Sequence, residues 1–237
     1  MELTFYKYQG AGNDFIIIDN RSLVFPKRNT TVIQKLCQRH FGVGADGLIL
    51  LEDTDSCDFK MVYFNADGNE STMCGNGGRC IVAFAHKLNL FHDKTTFQAI
   101  DGIHHAALNN HNIALQMIDV KDIRLYENYA FTNTGSPHHV QLVTNLSEFD
   151  VYSEGKKIRD NRYGLEGSNI NFVSQISDDT FKVRTYERGV ENETLACGTG
   201  ATAVAITMHR LQKTLSNTIT IIVEGGRLTV SFIYEDS

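Results

Sequence analysis

Two cysteines, each followed by Gly-x-Gly, carry the chemistry this sequence offers most plainly. They stand in "MCGNGGRC", Met73 to Cys80, and "LACGTGATAVAI", Leu195 to Ile206. In both places the glycines open a segment that reads as a helix with little polar surface. The first amides of a helix have no intrahelical acceptor and lie at the positive end of the dipole. Such a place holds a carboxylate, and it lowers a thiol below its usual pKa of about 8.5. Gly75 and Gly77 are expected to turn the backbone sharply and to let a ligand approach it. The first half therefore presents Cys74 with the donors of Gly75 and Asn76, and the second presents Cys197 with those of Gly198 and Thr199. A tetrahedral carbon held between two such sulfurs loses a proton to a thiolate on one face and gains one from a thiol on the other. The amides hold the α-carboxylate while charge spreads into it, and the carbon emerges inverted. Two plainer accounts compete. The cysteines are small buried hydrophobes in a duplicated motif, or they are a redox pair, although no CxxC is present. Cys37, Cys57 and Cys80 lack the Gly-x-Gly and read as packing residues.

The elements that position these residues follow from the pattern along the chain. Short apolar runs bounded by turn residues read as strands: "DFIIID", "GLILLE", "FKMVYF", "IALQMI", "FKVRTY", "TITIIVEG" and "RLTVSFIY". "TVIQKLCQRHF" reads as an amphipathic helix, whereas "RCIVAFAHKLNLF" and "GATAVAITMHRL" are nearly apolar and belong inside the protein. The chain also repeats itself at a shift of 123 residues, from Cys74 to Cys197. The shift carries Gly75 and Gly77 onto Gly198 and Gly200, and Tyr63 onto Tyr186. It also carries Gly12 onto Gly135, Arg39 onto Arg162 and Gly44 onto Gly167, matches that chance could supply. The expected fold is α+β, with two halves of similar design, 1–118 carrying Cys74 and 119–237 carrying Cys197. Each is rich in short strands around one buried helix, with the final strand returning to the first half.

Bulk properties exclude several classes. The chain has 237 residues, is 42% hydrophobic and bears a net charge of −6, so it has material for a sizeable core and no basic surface for nucleic acid. No apolar run reaches the roughly 18 residues of a membrane span, and "MELTFYKYQG" does not read as a signal peptide. Five cysteines at irregular spacing fit reduced thiols and a cytoplasmic setting. Neither HExxH nor paired CxxC marks a metal site. "GVGADG", Gly42 to Gly47, matches GxGxxG in form but follows a helical stretch and precedes a strand, the reverse of the dinucleotide-binding order.

In order along the chain, "GAGNDF", "GVGADG", "FNADGNESTMCGNGGRC", "GSPHH", "GSNINF" and "YERGVENETLACGTGA" resemble the diaminopimelate epimerase family over essentially the whole length. The resemblance implies two pseudo-symmetric domains, each a barrel-like sheet around a central helix, with the active site in the cleft between them. It implies epimerisation of LL-2,6-diaminopimelate to the meso form, for lysine and peptidoglycan, without cofactor or metal. Cys74 and Cys197 become the acid/base pair. Gly75, Asn76, Gly198 and Thr199 hold the α-carboxylate. Asn13, Asn65, Asn169 and Arg188 hold the far end of the substrate, with Glu187 near the reacting amino group. The residues fit these roles, since the distal carboxylate needs a clamp such as Arg188 and asparagines donate and accept at once. The alternatives are a plain Glu187–Arg188 ion pair, and turn positions for Asn13 and Asn65.

His138, in "SPHH", tunes a cysteine or is simply structural. The partner expected is a small amino acid, and a homodimer is compatible with the sequence. Asn76 stands where proline and hydroxyproline racemases have His, which favours diaminopimelate over an imino acid. Ser136 stands where the family commonly has Asn, and Gly47 where some members carry Gln, so the chain departs from the family at positions expected to bear on distal recognition. The rivals are a racemase for another amino acid and a non-catalytic amino-acid-binding or thiol-sensing protein on the same scaffold.

Overall fold

Runs such as "DFIIID" and "GLILLE" show no polar alternation because both faces of their sheet are covered. In the computed structural model, which describes residues 2–110 and 112–235, the chain divides into two units, Met1–Gln116 and Met117–Ser237. The first contains β1 (Tyr6–Gly10), β2 (Asn13–Asp19), α1 (Thr30–Cys37), β3 (Gly47–Glu52), β4 (Phe59–Asn65) and β5 (Glu70–Ser71). There follow α2 (Gly75–Lys87), β6 (Lys94–Ala99), β7 (Gly102–Asn109) and β8 (Asn112–Leu115). Its sheet runs β1-β2-β3-β4-β6-β7-β8, with β5 paired to β4. Phe15, Ile17, Ile49, Leu51, Met61 and Tyr63 pack toward Cys80, Ile81 and Phe84 of α2. Ile16, Ile18, Leu48, Leu50, Val62 and Phe64 point the other way, toward Ile33 and Cys37 of α1. A strand buried on both faces has no polar side to show. Helix α2 touches both β1 and β8, so the sheet curls around it.

The second unit contains β9 (Ile123–Leu125), β10 (Ala130–Asn133), β11 (Pro137–Leu142), α3 (Val151–Ile158), β12 (Asn169–Ser177) and β13 (Thr180–Glu187). It is completed by β14 (Asn192–Thr194), α4 (Gly198–Arg210), β15 (Thr218–Val223) and β16 (Gly226–Ser231). The sheet order is β16-β15-β13-β12-β11-β10-β9, with β14 paired to β13. Helix α4 lies against β10, β11, β12, β15 and β16, while Val151 of α3 packs on Ile170, Phe172 and Tyr186 of the opposite face.

The repeat is thus one of connectivity. The pairings β1–β2, β2–β3, β3–β4 and β4–β6 are antiparallel, parallel, antiparallel and parallel. The same succession links β10–β11, β11–β12, β12–β13 and β13–β15. Matches outside the cysteine region also fall at equivalent places. Gly12 and Gly135 turn the corresponding hairpins at φ 85° and 107°, and Gly44 and Gly167 have φ 78° and 66°. The final strand, β16, pairs antiparallel with β15.

Helix α1 is shorter than its apolar pattern. Asn29 caps its start by accepting from the Val32 amide, but Gln38 is already extended (φ −65°, ψ 118°). The chain then doubles back, with Gly44 N donating to Leu36 O at 2.9 Å and Ala45 N to Cys37 O at 3.0 Å. A side chain at Gly42 would run into the Lys35 carbonyl, so the return path over "GVG" sets the helix end.

Candidate active site

Cys74 and Cys197 are the N-cap residues of α2 and α4, with extended backbones (φ −87°, ψ 128° and φ −127°, ψ 113°). Their carbonyls accept the first helical bonds, from Gly78 N at 2.7 Å and Ala201 N at 2.9 Å. The amides of 75–77 and 198–200 are accordingly those that a helix leaves without an intrahelical acceptor. The expectation of a sharp glycine turn is corrected, because none of Gly75, Gly77, Gly198 and Gly200 has a positive φ. What the second glycine of each pair supplies is close approach of helix to sheet. A Cβ on Gly77 would meet Ile49 Cδ1 at 3.2 Å, and one on Gly200 would meet Asn171 Oδ1 at 2.7 Å.

In the first unit Cys74, Asn76 and Asn13 form one polar cluster. Cys74 Sγ lies 3.6 Å from Asn13 Oδ1, and Asn76 Nδ2 donates to the same oxygen at 3.4 Å. Charged residues orient both amides. Arg79 donates to Asn76 Oδ1 at 2.6 Å, and Asn13 Nδ2 donates to Asp46 Oδ2 at 2.6 Å. Arg39 then bridges Asp46 and Asp14. Asn13 both closes the Ala11–Gly12 hairpin, opposite Gly10, and has its side chain oriented by Asp46. Asn65, exposed at the end of β4, has the backbone role of a turn residue, its amide donating to Asn69 O and its carbonyl accepting from Gly68 N. Across from Asn65 in the ladder is Gly47, where a Cβ would come within 2.6 Å of both Tyr63 Cε2 and Phe64 O. The Tyr63 ring fills the space a side chain at 47 would need.

In the second unit Cys197, Thr199, His138 and Asn169 come together. Cys197 Sγ lies 3.3 Å from Thr199 Oγ1, which is 2.9 Å from His138 Nε2. Ser136 Oγ is 2.9 Å from His138 Nε2 and accepts from Asn169 Nδ2 at 3.0 Å. Asn169 Oδ1 in turn accepts from the Arg188 amide at 2.9 Å. The Arg188 guanidinium is exposed, reaches the Glu166 carbonyl, and has its stem against Gly167. Glu187 Oε2 accepts from Thr194 Oγ1 at 2.6 Å. His138 is fully buried, and burial, with a smaller contribution from the Arg188 charge, holds its pKa down to about 3. It is a neutral imidazole at neutral pH. Burial pushes Cys37 up to about 11 and Cys80 up to about 12, which supports their assignment to packing.

Arg79, Asp46 and Asn171 belong to these clusters and were not singled out from sequence. Asn171 left a usable signal: in "NINF" it alternates with Asn169 at the buried start of a strand, placing two asparagines on one buried face. Arg79 and Asp46 left none, since a single charge beside a glycine-rich stretch reads as solvated surface. Among the described residues no group of His, Cys, Asp and Glu has the arrangement of a metal site, and no helix is long and apolar enough to cross a membrane.

The family model for diaminopimelate epimerase matches residues 5–119 and 130–237. The chain is 65% identical over 234 residues to a diaminopimelate epimerase of Flavobacterium psychrophilum, covering 98% of this chain and 91% of the relative. It is 44% identical to one from Chlorobaculum tepidum, covering 94% and 90%. Among solved structures, a phenazine biosynthesis protein of the PhzF family from Bacillus anthracis aligns with a TM-score of 0.75 at 14% identity, over 97% of this chain and 90% of that one. A hydroxyproline epimerase from Agrobacterium vitis aligns at 0.63 and 11% identity, over 95% and 82%. These last likenesses speak to the fold.

Proposed function

Because this chain belongs to the diaminopimelate epimerase family, we propose that it interconverts LL- and meso-2,6-diaminopimelate with Cys74 and Cys197 as its two proton carriers. The observation that carries this is the duplication of one device. In each unit a cysteine occupies the N-cap of the helix enclosed by the sheet, beside amides suited to an anion and a cluster of oriented polar groups. Inversion at an α-carbon needs a proton carrier on each face, and a duplicated fold supplies two of the same kind.

The α-proton of an amino acid is weakly acidic, so the carbanion must be stabilised as it forms. Amides of Gly75, Asn76, Gly198 and Thr199 donate to the α-carboxylate and gain strength as negative charge moves onto it. One sulfur takes the proton as thiolate while the other gives its own as thiol, and the roles reverse for the return reaction. Arg188, with its exposed guanidinium, pairs with the distal carboxylate, and Asn13, Asn65 and Asn169 sort the groups on the distal carbon. Glu187 accepts from the reacting ammonium. The product serves lysine synthesis, as the family name implies.

The test follows LL-diaminopimelate by NMR in heavy water under reductant. Deuterium entering one α-carbon together with meso product, and turnover lost in both Cys74→Ala and Cys197→Ala, is the result expected. Absence of any α-proton exchange from folded, reduced protein overturns the assignment.

A further inference from the structure

A carboxamide can serve a ligand with either end, because its oxygen accepts and its nitrogen donates. Which end Asn13 offers is settled by what holds the other. Asn13 Nδ2 donates to Asp46 Oδ2 at 2.6 Å. A carboxylate oxygen only accepts, so turning the amide over would set oxygen against oxygen at that distance. The Asn13 oxygen is thereby directed to the start of α2, where its contacts are long, Asn76 Nδ2 at 3.4 Å and Cys74 Sγ at 3.6 Å. A charged donor such as an ammonium group binds such an oxygen more strongly than either of these. A carboxylate brought to the same oxygen is repelled.

Asp46 is itself held in place. Its amide donates to the Asp14 carbonyl at 2.9 Å, and its Oδ2 also accepts from the Asp14 amide at 3.1 Å. Its Oδ1 accepts from Arg39 Nη2 at 2.6 Å. The same guanidinium grips both oxygens of Asp14, at 2.7 and 3.2 Å, and Lys7 brings a second cation to Asp14 at 2.7 Å. The carboxylate that orients Asn13 is therefore fixed by backbone bonds on one side and by an arginine on the other.

The second unit shows what this link requires for folding alone. The shift of 123 residues carries Asn13 onto Ser136, Asp46 onto Asn169 and Arg39 onto Arg162. Each pair ties together the starts of two parallel strands, β2 with β3 and β11 with β12. The bond is kept, with Asn169 Nδ2 donating to Ser136 Oγ at 3.0 Å. Its two partners are neutral, and the donor stands at the other end of the link. Arg162 takes no part in it, donating instead to the Tyr129 hydroxyl at 2.6 Å with its guanidinium 4.4 Å over that ring. A neutral pair thus suffices to join these strand starts. The carboxylate and arginine of the first unit add something further, which is to leave Asn13 no choice of sense.

We infer that Asp46 is a positioning residue for substrate binding, which holds Asn13 so that its oxygen, and not its nitrogen, meets the ligand, and that the group received there is an ammonium. The inference rests on the proposed epimerase activity, whose substrate carries an ammonium group at each end.

Two measurements separate this from an ion pair that serves stability alone. By NMR of the free wild-type protein, one Asn13 side-chain amide hydrogen, assigned through the Asn13 backbone, is expected downfield and slow to exchange with solvent. Its absence overturns the inference without any variant. In turnover of LL-diaminopimelate, Asp46→Ala should raise KM about tenfold or more while kcat changes less than about threefold, the pattern of lost binding. Asp46→Asn combined with Arg39→Met discards the ion pair but leaves an amide oxygen at 46 that no arginine claims, and that oxygen accepts from Asn13. KM in this double variant should return to within about threefold of the wild-type value. An unmoved KM in Asp46→Ala, or a KM raised about tenfold or more in the double variant, overturns the inference. Wild-type protein with the protected amide but no turnover sinks the epimerase reading alone, whereas turnover with an unprotected amide sinks this assignment alone.

Discussion

At the residue scale, buried charge and buried amide depend on one another. Arg79 is mostly buried, and burial works against its charge. Its hydrogen bond to the almost fully buried Asn76 is what orients that amide. Arg79→Met removes this charged hydrogen bond and is expected to cost about 1–3 kcal/mol, read as a lower urea midpoint. An unchanged midpoint would mean the amide finds another donor. Arg188 makes the opposite case. Its guanidinium is exposed and bonded only lightly, to a carbonyl at 3.2 Å, so its loss should barely touch stability. If it clamps the distal carboxylate, Arg188→Met lowers kcat/KM for diaminopimelate by roughly 10- to 150-fold, the worth of a charged hydrogen bond of about 1.5–3 kcal/mol. A racemase for a smaller amino acid would not notice the change.

At the element scale, α2 and α4 share one design at both ends. Each finishes in a Schellman motif. Leu90 N bonds Ala85 O and Asn89 N bonds His86 O after α2, while Lys213 N bonds Met208 O and Gln212 N bonds His209 O after α4. The C′ residues, Asn89 and Gln212, take φ 58° and 55°. Asparagine tolerates that region and glutamine does not. Gln212→Gly should therefore stabilise the protein by about 1 kcal/mol, with a smaller gain from Asn89→Gly, measured by thermal or urea unfolding. At the N-termini the glycines differ in what they face. Gly77 meets the tip of a flexible Ile49, whereas Gly200 meets Asn171 Oδ1 at 2.7 Å and Cys197 Cβ at 3.3 Å. Gly77→Ala should be near neutral, since the gain in helix propensity of about 1 kcal/mol offsets a small adjustment. Gly200→Ala should destabilise by about 1–3 kcal/mol and reduce turnover, because the side chain displaced is that of Asn171, whose Nδ2 contacts His138 Nδ1. Equal effects at the two sites would refute this distinction.

At the scale of the whole molecule, the duplicated architecture carries unequal sensitivity to acid. Burial holds His138 at about 3 and His139 at about 4, and both lie in the second unit. A histidine kept neutral in the fold takes up a proton near pH 6.5 once unfolded. The unfolded chain then binds more protons, and stability falls as pH drops from about 6.5 toward 4. Between pH 7 and 5 the two residues should remove about 2–4 kcal/mol together. Hydrogen exchange at pH 5 should show the loss concentrated in residues 117–235. Loss spread evenly over both units, or no loss above pH 5, would contradict this.

Much of this molecule was written into local sequence. Cys-Gly-x-Gly ahead of an apolar run specifies a helix N-terminus with a thiol at its cap wherever the helix packs, and a 123-residue shift announces that this happens twice. Strands appear as apolar runs because short-range pattern and burial agree, and the family motifs stand on the turns and strand ends that carry the site. Other features were decided by tertiary structure, because they depend on atoms far apart in the chain. Helix α1 ends at Cys37, not at the end of its apolar pattern, because the return through Gly42 and Gly44 takes over its last carbonyls. The glycines after the cysteines serve close packing against β3 and β12, which no local conformational preference reveals. Asp46 reaches Asn13 across 33 positions, and Asn171 reaches His138 across 33 more. The orientation of the Asn13 amide beside Cys74 and the contact made by His138 beside Thr199 depend on these long-range partners. Sequence alone thus determined that two cysteines sit at helix starts, and the folded sheets decided what each sulfur meets there.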